Sequence, residues 1–207
     1  MKTKFLHIAT ALLFAGFTSS CSDFLDRYPL DELSDSSFWK TENDAMMAVT
    51  DIYGCLPTWD QDEDINSDNA VHGIKWAAGN ISKGIYDPMD QSWAGSYTPI
   101  RQCNLVLEKV KDIEMSDESR KKIEGQAYFF RAFVYFNLIR SFGDVPYIDK
   151  PLNLTDVEDI TRTPREEVYA KVMADFDKAI EYLPEEWDAA NTPRVTTVSY
   201  THLTLPT

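Results

Sequence analysis

Histidine and cysteine, the residues most often used in catalysis and metal binding, are scarce in this chain. Its 207 residues contain three histidines, His7, His72 and His202, and three cysteines. His7 lies in an apolar leader and His202 lies close to the C-terminus, which leaves His72 in the central region. A multi-histidine metal site is therefore excluded, and no Ser–His–Asp or Cys–His arrangement has support in the sequence. We expect no cofactor and no bound metal.

Carboxylates are abundant and give the chain a strongly negative charge. There are 34 aspartates and glutamates against 20 lysines and arginines, for a formal net charge of −14. This excludes a nucleic-acid partner, because a phosphate-binding surface needs clustered lysines and arginines. Carboxylates alone can hydrolyse a glycosidic bond when two of them are held roughly 5–9 Å apart. No pair stands out from the rest, and a surface glycoside hydrolase stays an alternative.

Cys21 follows a segment that is typical of a bacterial lipoprotein signal. Residues 1–20 begin with Lys2 and Lys4, continue with an apolar stretch too short to span a bilayer, and end in Thr18-Ser19-Ser20. We expect cleavage before Cys21 and lipidation of this residue, with plain secretion as the alternative. Two or more acyl chains would hold the protein on a membrane without embedding it.

Cys55 and Cys103 leave two possibilities open. An oxidising compartment would allow them to form one disulfide. Both also lie among apolar positions at helical spacing, which favours two buried free thiols equally well.

A long irregular segment, residues 57–90, is the part of the body with loop character. It contains glycines, prolines, an acidic run at 60–64 and the exposed-looking aromatic residues Trp59, Trp76 and Tyr86. Long loops inside compact domains often carry function. The alternating aspartates of the acidic run resemble a calcium loop, but the glycine and the distal glutamate of such a loop are missing. We therefore expect a solvated acidic loop.

Four segments with apolar residues at helical spacing predict four helices. We expect the first over residues 42–54, the second along a face from Trp93 to Val110, the third from Ser116 to Gly143, and the fourth from Thr163 to Pro184. No segment shows the alternation of apolar and polar residues that is typical of a strand, so the sequence predicts the all-α class. The connection at residues 144–162 is rich in proline and acid, and we expect it to extend over the surface.

Polar residues inside apolar faces need partners. Arg131 lies in the third predicted helix, which is apolar almost all round and therefore buried between neighbours. It predicts a structural ion pair with a carboxylate. Asn104 lies on the apolar face of the second helix. It needs hydrogen-bond partners there, because an unsatisfied buried amide costs about 1–3 kcal/mol.

Capping residues are predicted for two helices. Thr41 with Asp44 predicts a capping box for the first helix, and Thr163 predicts the N-cap of the fourth.

Five blocks of sequence, in order, resemble the SusD/RagB family of outer-membrane lipoproteins of Bacteroidetes. The blocks are Cys21-Ser22-Asp23-Phe24-Leu25-Asp26 with Pro29, Phe38-Trp39-Lys40-Thr41-Glu42-Asn43-Asp44-Ala45, Trp93 with Tyr97, Ile100 and Asn104, residues 127–136 with 142–146, and Arg162 through Leu183-Pro184. The resemblance covers residues 21–184. It implies tetratricopeptide-like stacked helix pairs with long irregular loops.

The resemblance also implies a function. Members of the SusD/RagB family are non-catalytic proteins that are lipid-anchored on the extracellular face of the outer membrane. They capture oligosaccharides or other nutrients and pass them to a SusC-like TonB-dependent transporter. Inserted loops form the ligand face, and the candidates here are Trp76, Asn80, Tyr86 and Trp59, because flat aromatic rings cover the apolar faces of sugars and amides pair with hydroxyls. A helical scaffold or a peptide-binding lipoprotein is a further alternative.

The resemblance divides the chain into four parts. Residues 1–20 are the signal peptide, 21–40 an irregular segment, and 41–196 an incomplete helical domain. Residues 197–207 have no family counterpart, and we interpret them as an artefact of cloning or sequencing. Because family members are much longer, we expect this chain to be an N-terminal fragment.

Overall fold

Four α-helices make up most of the computed structural model, which describes residues 38–56, 91–153, 156 and 159–202. They are α1 Glu42–Ile52, α2 Gln91–Lys109, α3 Asp117–Phe142 and α4 Arg165–Tyr182. Short 3₁₀ turns at Tyr53–Cys55 and Val110–Asp112 extend α1 and α2, and a third covers Thr197–His202. The pairing of strands in these ranges is limited to one isolated bridge between Val145 and Thr163. The predicted all-α class is confirmed.

Local capping residues set the ends of α1 and α3 as the sequence predicts. The Asp44 N–H donates to Thr41 Oγ1 at 3.2 Å, and the Asp44 carboxylate accepts the Thr41 N–H at 2.8 Å, which completes a capping box. At α3, Ser116 Oγ accepts the N–H of Ser119 at 3.0 Å. The helix ends at Gly143, whose φ of +70° lies in the left-handed region that favours glycine.

The predicted N-cap of α4 is wrong. Pro164 occupies that position and its side chain caps nothing, so α4 begins at Arg165. The Asp144 carboxylate accepts the Arg165 N–H at 2.9 Å. Thr163 instead exchanges two backbone hydrogen bonds with Val145, at 3.0 and 3.3 Å. The cap therefore comes from a residue 21 positions earlier in the chain, which a local capping pattern does not reveal.

Helices α3 and α4 pack antiparallel. Arg131 of α3 bonds to Asp175 of α4, and six residues earlier on α3 Gly125 lies against Leu183, at the end of α4. A Cβ atom at Gly125 would lie 3.0 Å from Leu183 Cγ. The missing side chain of this glycine therefore lets the two helices approach closely.

Helices α2 and α3 are also antiparallel. The Trp93 ring near the start of α2 packs edge-on against Phe142 at the end of α3, with ring centroids 5.1 Å apart. Farther along α2, Asn104 accepts a hydrogen bond from Arg131 in the middle of α3. This arrangement directs the polar atoms of Asn104 toward the centre of the helix bundle.

Helices α1 and α3, by contrast, run parallel. Met46 contacts the Gln126 amide, and one to two turns later the Tyr53 ring packs edge-on against Phe130 with centroids 4.5 Å apart. Antiparallel neighbours with parallel alternate helices are the arrangement of stacked helix pairs.

The hydrophobic core surrounds α3. Side chains from all four helices that are less than 2% exposed include Tyr135, Phe130, Phe176, Ile52, Ile100, Ile123 and Leu138. Phe130 and Ile139 lie on opposite sides of α3 and are both buried, which confirms the prediction that this helix is buried on nearly all sides.

The connection between α3 and α4 is exposed at residues 149–150, 153 and 161–162, as predicted for a surface segment, but residues 145–148 are not exposed. Val145 is fully buried. The carbonyl of Pro146 accepts a hydrogen bond from the Tyr97 hydroxyl at 3.1 Å. The Tyr135 hydroxyl donates to the carbonyl of Ile148 at 3.1 Å and accepts its N–H at 2.7 Å. Backbone groups of this segment are therefore the partners that the hydroxyls of half-buried Tyr97 and fully buried Tyr135 need.

Candidate functional site

The residues that the sequence singles out for lipid attachment and sugar contact lie outside the described part of the chain. Cys21 precedes it, and Trp59, Trp76, Asn80 and Tyr86 fall between the 3₁₀ turn that follows α1 and the start of α2. Their roles stay predictions.

A surface groove of about 550 Å³ lies between α1, α2 and α3. Its volume falls within the range typical of small-molecule sites, about 300–1,000 Å³. The polar side chains that line it come from three helices and the apolar wall comes from α3; the main ones are Asp51, Thr98, Gln102, Asn137, Arg140 and Phe133. The groove borders the end of α1 and the first turns of α2, the two helices that flank residues 57–90 in the sequence.

One wall of the groove is fixed by a bond between α1 and α2. The Gln102 side-chain amide donates to the Asp51 carboxylate at 2.6 Å. This bond holds an exposed carboxylate at the groove edge, with its second oxygen able to accept further hydrogen bonds.

Pro99 interrupts the hydrogen bonding of α2 beside the groove. Pro99 lies inside the helix and has no N–H, so the carbonyl of Gly95 lacks its usual donor four residues on. The position of a Cβ at Gly95, and likewise at Gly54 across the groove, has no neighbouring atom within 4 Å. The two glycines therefore leave this part of the groove open to a ligand.

Helix α3 contributes an aromatic ring, an amide and a cation at helical spacing. Phe133 is half-buried and stacks on Phe129, with centroids 6.5 Å apart and ring planes 7° from parallel. One turn later the Asn137 amide donates to the carbonyl of Phe133 at 3.0 Å. Arg140 is exposed in the last turn and makes no ion pair within the described ranges.

The cysteines near this groove are free thiols. Cys55 borders the groove and is half-buried, whereas Cys103 is fully buried. Burial raises the pKa of Cys55 to about 11, and burial likewise raises the pKa of Cys103 above its ordinary value. Of the two possibilities left open by the sequence, the structure has the free thiols.

Behind the groove, a buried polar network joins α2, α3 and α4. Arg131 donates to both oxygens of Asp175 at 2.7 Å and to Asn104 Oδ1 at 2.8 Å. The Asn104 amide donates in turn to the carbonyl of Ile148 at 2.9 Å. Burial opposes the charge on Arg131, but the hydrogen bonds to Asp175 and the negative charge of that carboxylate together outweigh it and raise the pKa of the guanidinium. The predicted ion pair and the predicted partners of Asn104 are confirmed.

Sequence reasoning did not find the groove itself. Asp51 and Gln102 are 51 positions apart in the sequence, and each is of a type common on protein surfaces. Asn137 interrupts an apolar run, which was a signal for a polar role on that face. Only the packing of α1 and α2 against α3 brings these side chains together.

Two further features concern metals and membranes. Within residues 38–56, 91–153, 156 and 159–202, no group of three or more histidine, cysteine, aspartate or glutamate side chains could hold a metal ion. The acidic run 60–64 lies outside these ranges. The helices described here are all too short or too polar to cross a membrane.

A family model described as "Starch-binding associating with outer membrane", named SusD-like, matches residues 23–202. Among curated relatives, SusD-like protein P2 of Formosa agariphila is 29% identical over 96% of this chain and 42% of its own length. A SusD-like protein of Bacteroides ovatus is 26% identical over 91% of this chain and 36% of its own length. The chain thus spans about two-fifths of these relatives. The interpretation of residues 197–207 as an artefact stays a prediction.

Solved structures give the same assignment of the fold. A SusD-like protein from Bacteroides fragilis superposes with a TM-score of 0.74 at 26% identity, over 86% of this chain and 36% of that chain. A laminarin-binding SusD-like protein superposes with a TM-score of 0.67 at 22% identity, over 79% of this chain and 39% of that one. The predicted tetratricopeptide-like helix stacking is confirmed, and the family match over residues 23–202 establishes that the chain belongs to the SusD-like family.

Proposed function

We propose that this chain is the N-terminal part of a glycan-capturing lipoprotein of the outer membrane. The observation that carries the proposal is the family match over residues 23–202, whose description names starch binding and the outer membrane. A structural relative that binds laminarin adds support for oligosaccharides as the ligand class. The whole protein would hold its ligand without breaking a covalent bond.

The proposed ligand contacts lie in the 57–90 segment. Trp76, Tyr86 and Trp59 supply flat rings for the apolar faces of sugar units, and Asn80 supplies an amide for their hydroxyl groups. Packing of aromatic rings on sugars needs no charge, so it suits neutral glycans as well as charged ones.

The proposed location is the extracellular face of the outer membrane, with Cys21 as the lipidated N-terminal residue. The apolar leader before Cys21 and its small residues at positions 18–20 support this. From this position the protein would deliver its ligand to a SusC-like TonB-dependent transporter. Co-purification of a large β-barrel protein with the full-length lipoprotein from native membranes tests whether the two proteins associate.

Hydrolysis is the less favoured alternative. Two carboxylates roughly 5–9 Å apart are needed to cleave a glycosidic bond. Of the described residues that line the groove, Asp51 is the one carboxylate, and it is engaged by Gln102. This arrangement favours binding over turnover.

Titration of the full-length protein against a panel of oligosaccharides, with a reducing-sugar assay on the same mixtures, tests the proposal. We expect saturable binding of at least one glycan with no increase in reducing ends. An increase in reducing ends would indicate a hydrolase. An absence of binding across the panel would favour the scaffold or peptide-binding alternative.

A further inference from the structure

We propose that the groove between α1, α2 and α3 is a second sugar site, selective for an oligosaccharide that carries a carboxylate. The inference rests on the proposed function in one respect, that the protein meets oligosaccharides at the cell surface. Its residues are separate from the aromatic candidates of the 57–90 segment, so the two sites can be tested independently.

The cation of the site is Arg140. Three arginines of the described helices have carboxylate partners, namely Arg131 with Asp175, Arg120 with Asp117 and Arg165 with Glu166, whereas Arg101 has none but lies outside the groove. Arg140 is exposed at the groove and has no such partner within the described ranges. Its planar guanidinium matches a carboxylate through two parallel hydrogen bonds. In a chain with a net charge of −14, an unpaired arginine beside a groove favours an anionic group on the ligand.

The ring wall of the site is Phe133. This side chain is half-buried and stacked on Phe129, so its orientation is fixed before a ligand arrives. A flat apolar surface of this kind suits the CH face of a pyranose ring. Phe133 and Arg140 lie seven residues apart on α3, which puts the ring and the cation two turns apart on one helix face.

Hydrogen-bond acceptors lie across the groove from α3. The Asp51 carboxylate is held in place by Gln102 at 2.6 Å, and Thr98 of α2 adds a hydroxyl to the lining. Sugar hydroxyl groups donate to such acceptors. A small carboxylate without hydroxyls would use Arg140 alone, whereas a neutral sugar would leave Arg140 unpaired. The full set of groups therefore fits a uronate unit within a short oligosaccharide.

The test compares a galacturonate trisaccharide with a neutral galactose trisaccharide and with acetate, each titrated into the full-length protein at low salt. We expect the galacturonate trisaccharide to bind with higher affinity than either of the other two. Arg140→Gln should weaken galacturonate binding about tenfold or more and leave the affinity for the neutral trisaccharide unchanged. Phe133→Leu, which keeps an apolar side chain, should weaken galacturonate binding several-fold.

Arg101→Gln is the matched control. Arg101 is an exposed arginine on α2 that is not part of the groove and has no ion-pair partner in the described ranges, so its loss changes the net charge equally. We expect it to leave galacturonate binding unchanged. Because a cation in the last turn of α3 also favours the helix dipole, thermal melting of each variant is measured beside binding.

Three results would overturn the inference: no preference for galacturonate, a preference that survives Arg140→Gln, or an equal loss in Arg101→Gln. Binding of neutral glycans without galacturonate preference would remove this second site and leave the proposed function standing. Failure of every glycan to bind would contradict both.

Discussion

Arg131 of α3 and Asp175 of α4 form a two-bonded ion pair in the interior, with Nε to Oδ2 and Nη2 to Oδ1 both at 2.7 Å. The side chains are 7% and 6% exposed. The remaining terminal nitrogen of Arg131 donates to Asn104 on α2. A single guanidinium thus joins three helices and fixes their relative positions along the bundle.

Removal of Asp175 should leave a buried, uncompensated positive charge. We expect Asp175→Ala to lower the free energy of unfolding of the chain by about 3–5 kcal/mol, measured by urea denaturation. Asp117→Ala is the control, because Asp117 is 93% exposed in its pair with Arg120 and such pairs contribute about 0–1 kcal/mol. Equal effects of the two substitutions would show that the buried pair has no special structural role.

Truncation of Phe130 tests the central position of α3. This side chain is fully buried, and its ring packs edge-on against Tyr53 at 4.5 Å and Phe129 at 5.5 Å. Phe130→Ala should lower the free energy of unfolding by about 3–5 kcal/mol, since it removes packing and leaves a cavity. Tyr169→Ala, at a site 49% exposed, should change it far less. A near-neutral effect of Phe130→Ala would contradict a core built around α3.

Local signals predicted the features that depend on neighbouring residues. The capping box of Thr41 and Asp44 depends on residues three apart, and the burial of α3 follows from its own apolar composition. The N-cap of α4 could not be predicted in this way, because Asp144 reaches it only after the chain folds back.

For long-range pairings, the sequence predicted that a partner was required but not which residue it was. The burial of Arg131 predicted a carboxylate partner, but Asp175 is 44 residues away and no local pattern identifies it. The groove that contains Arg140 depends on the packing of three helices, so no stretch of sequence contains it. The connection after α3 has the proline-rich and acidic composition of a surface segment. Its first residues nevertheless pack inward, because the hydroxyls of Tyr97 and Tyr135 donate to the carbonyls of Pro146 and Ile148.

The Cys55 thiol should be slow to alkylate in the folded protein. Burial raises its pKa from 9.0 to about 11, so at pH 8 its thiolate fraction should be about a hundredfold lower than in the unfolded chain. Peptide mapping after iodoacetamide treatment, with and without urea, measures this. Because the folded state holds the proton more tightly, this contribution to stability is complete below pH 9 and is lost as pH rises through about 11. Equal alkylation rates with and without urea would refute the burial of this thiol.

Cys21→Ser should release the full-length protein from membranes. The prediction follows from the leader and the small residues directly before Cys21, which suit cleavage and lipidation at that residue. Membrane fractionation of cells that express each form measures the shift to the soluble fraction. Cys55→Ser serves as a control for the loss of a cysteine elsewhere and should stay in the membrane fraction. Unchanged fractionation of Cys21→Ser would show that the anchor lies elsewhere.

Trp76→Ala should weaken glycan binding by the full-length protein and leave its helical content intact. Loss of one stacking ring removes contact with the apolar face of a sugar while the helices remain packed. Binding titrations and far-ultraviolet circular dichroism measure the two effects. Tyr169→Ala, an exposed aromatic on α4, is the matched control and should bind normally. Unchanged affinity in Trp76→Ala would place the aromatic contacts outside the 57–90 segment.

Retention of a fluorescent oligosaccharide by intact cells tests the central claim most directly, because it requires capture, surface exposure and lipid attachment together. Cells that carry the full-length gene should retain the oligosaccharide at its original length. Cells with Cys21→Ser should lose this retention while the released protein still binds the same glycan in solution. Shortened oligosaccharide on the cells, or equal retention by cells that lack the gene, would contradict the account.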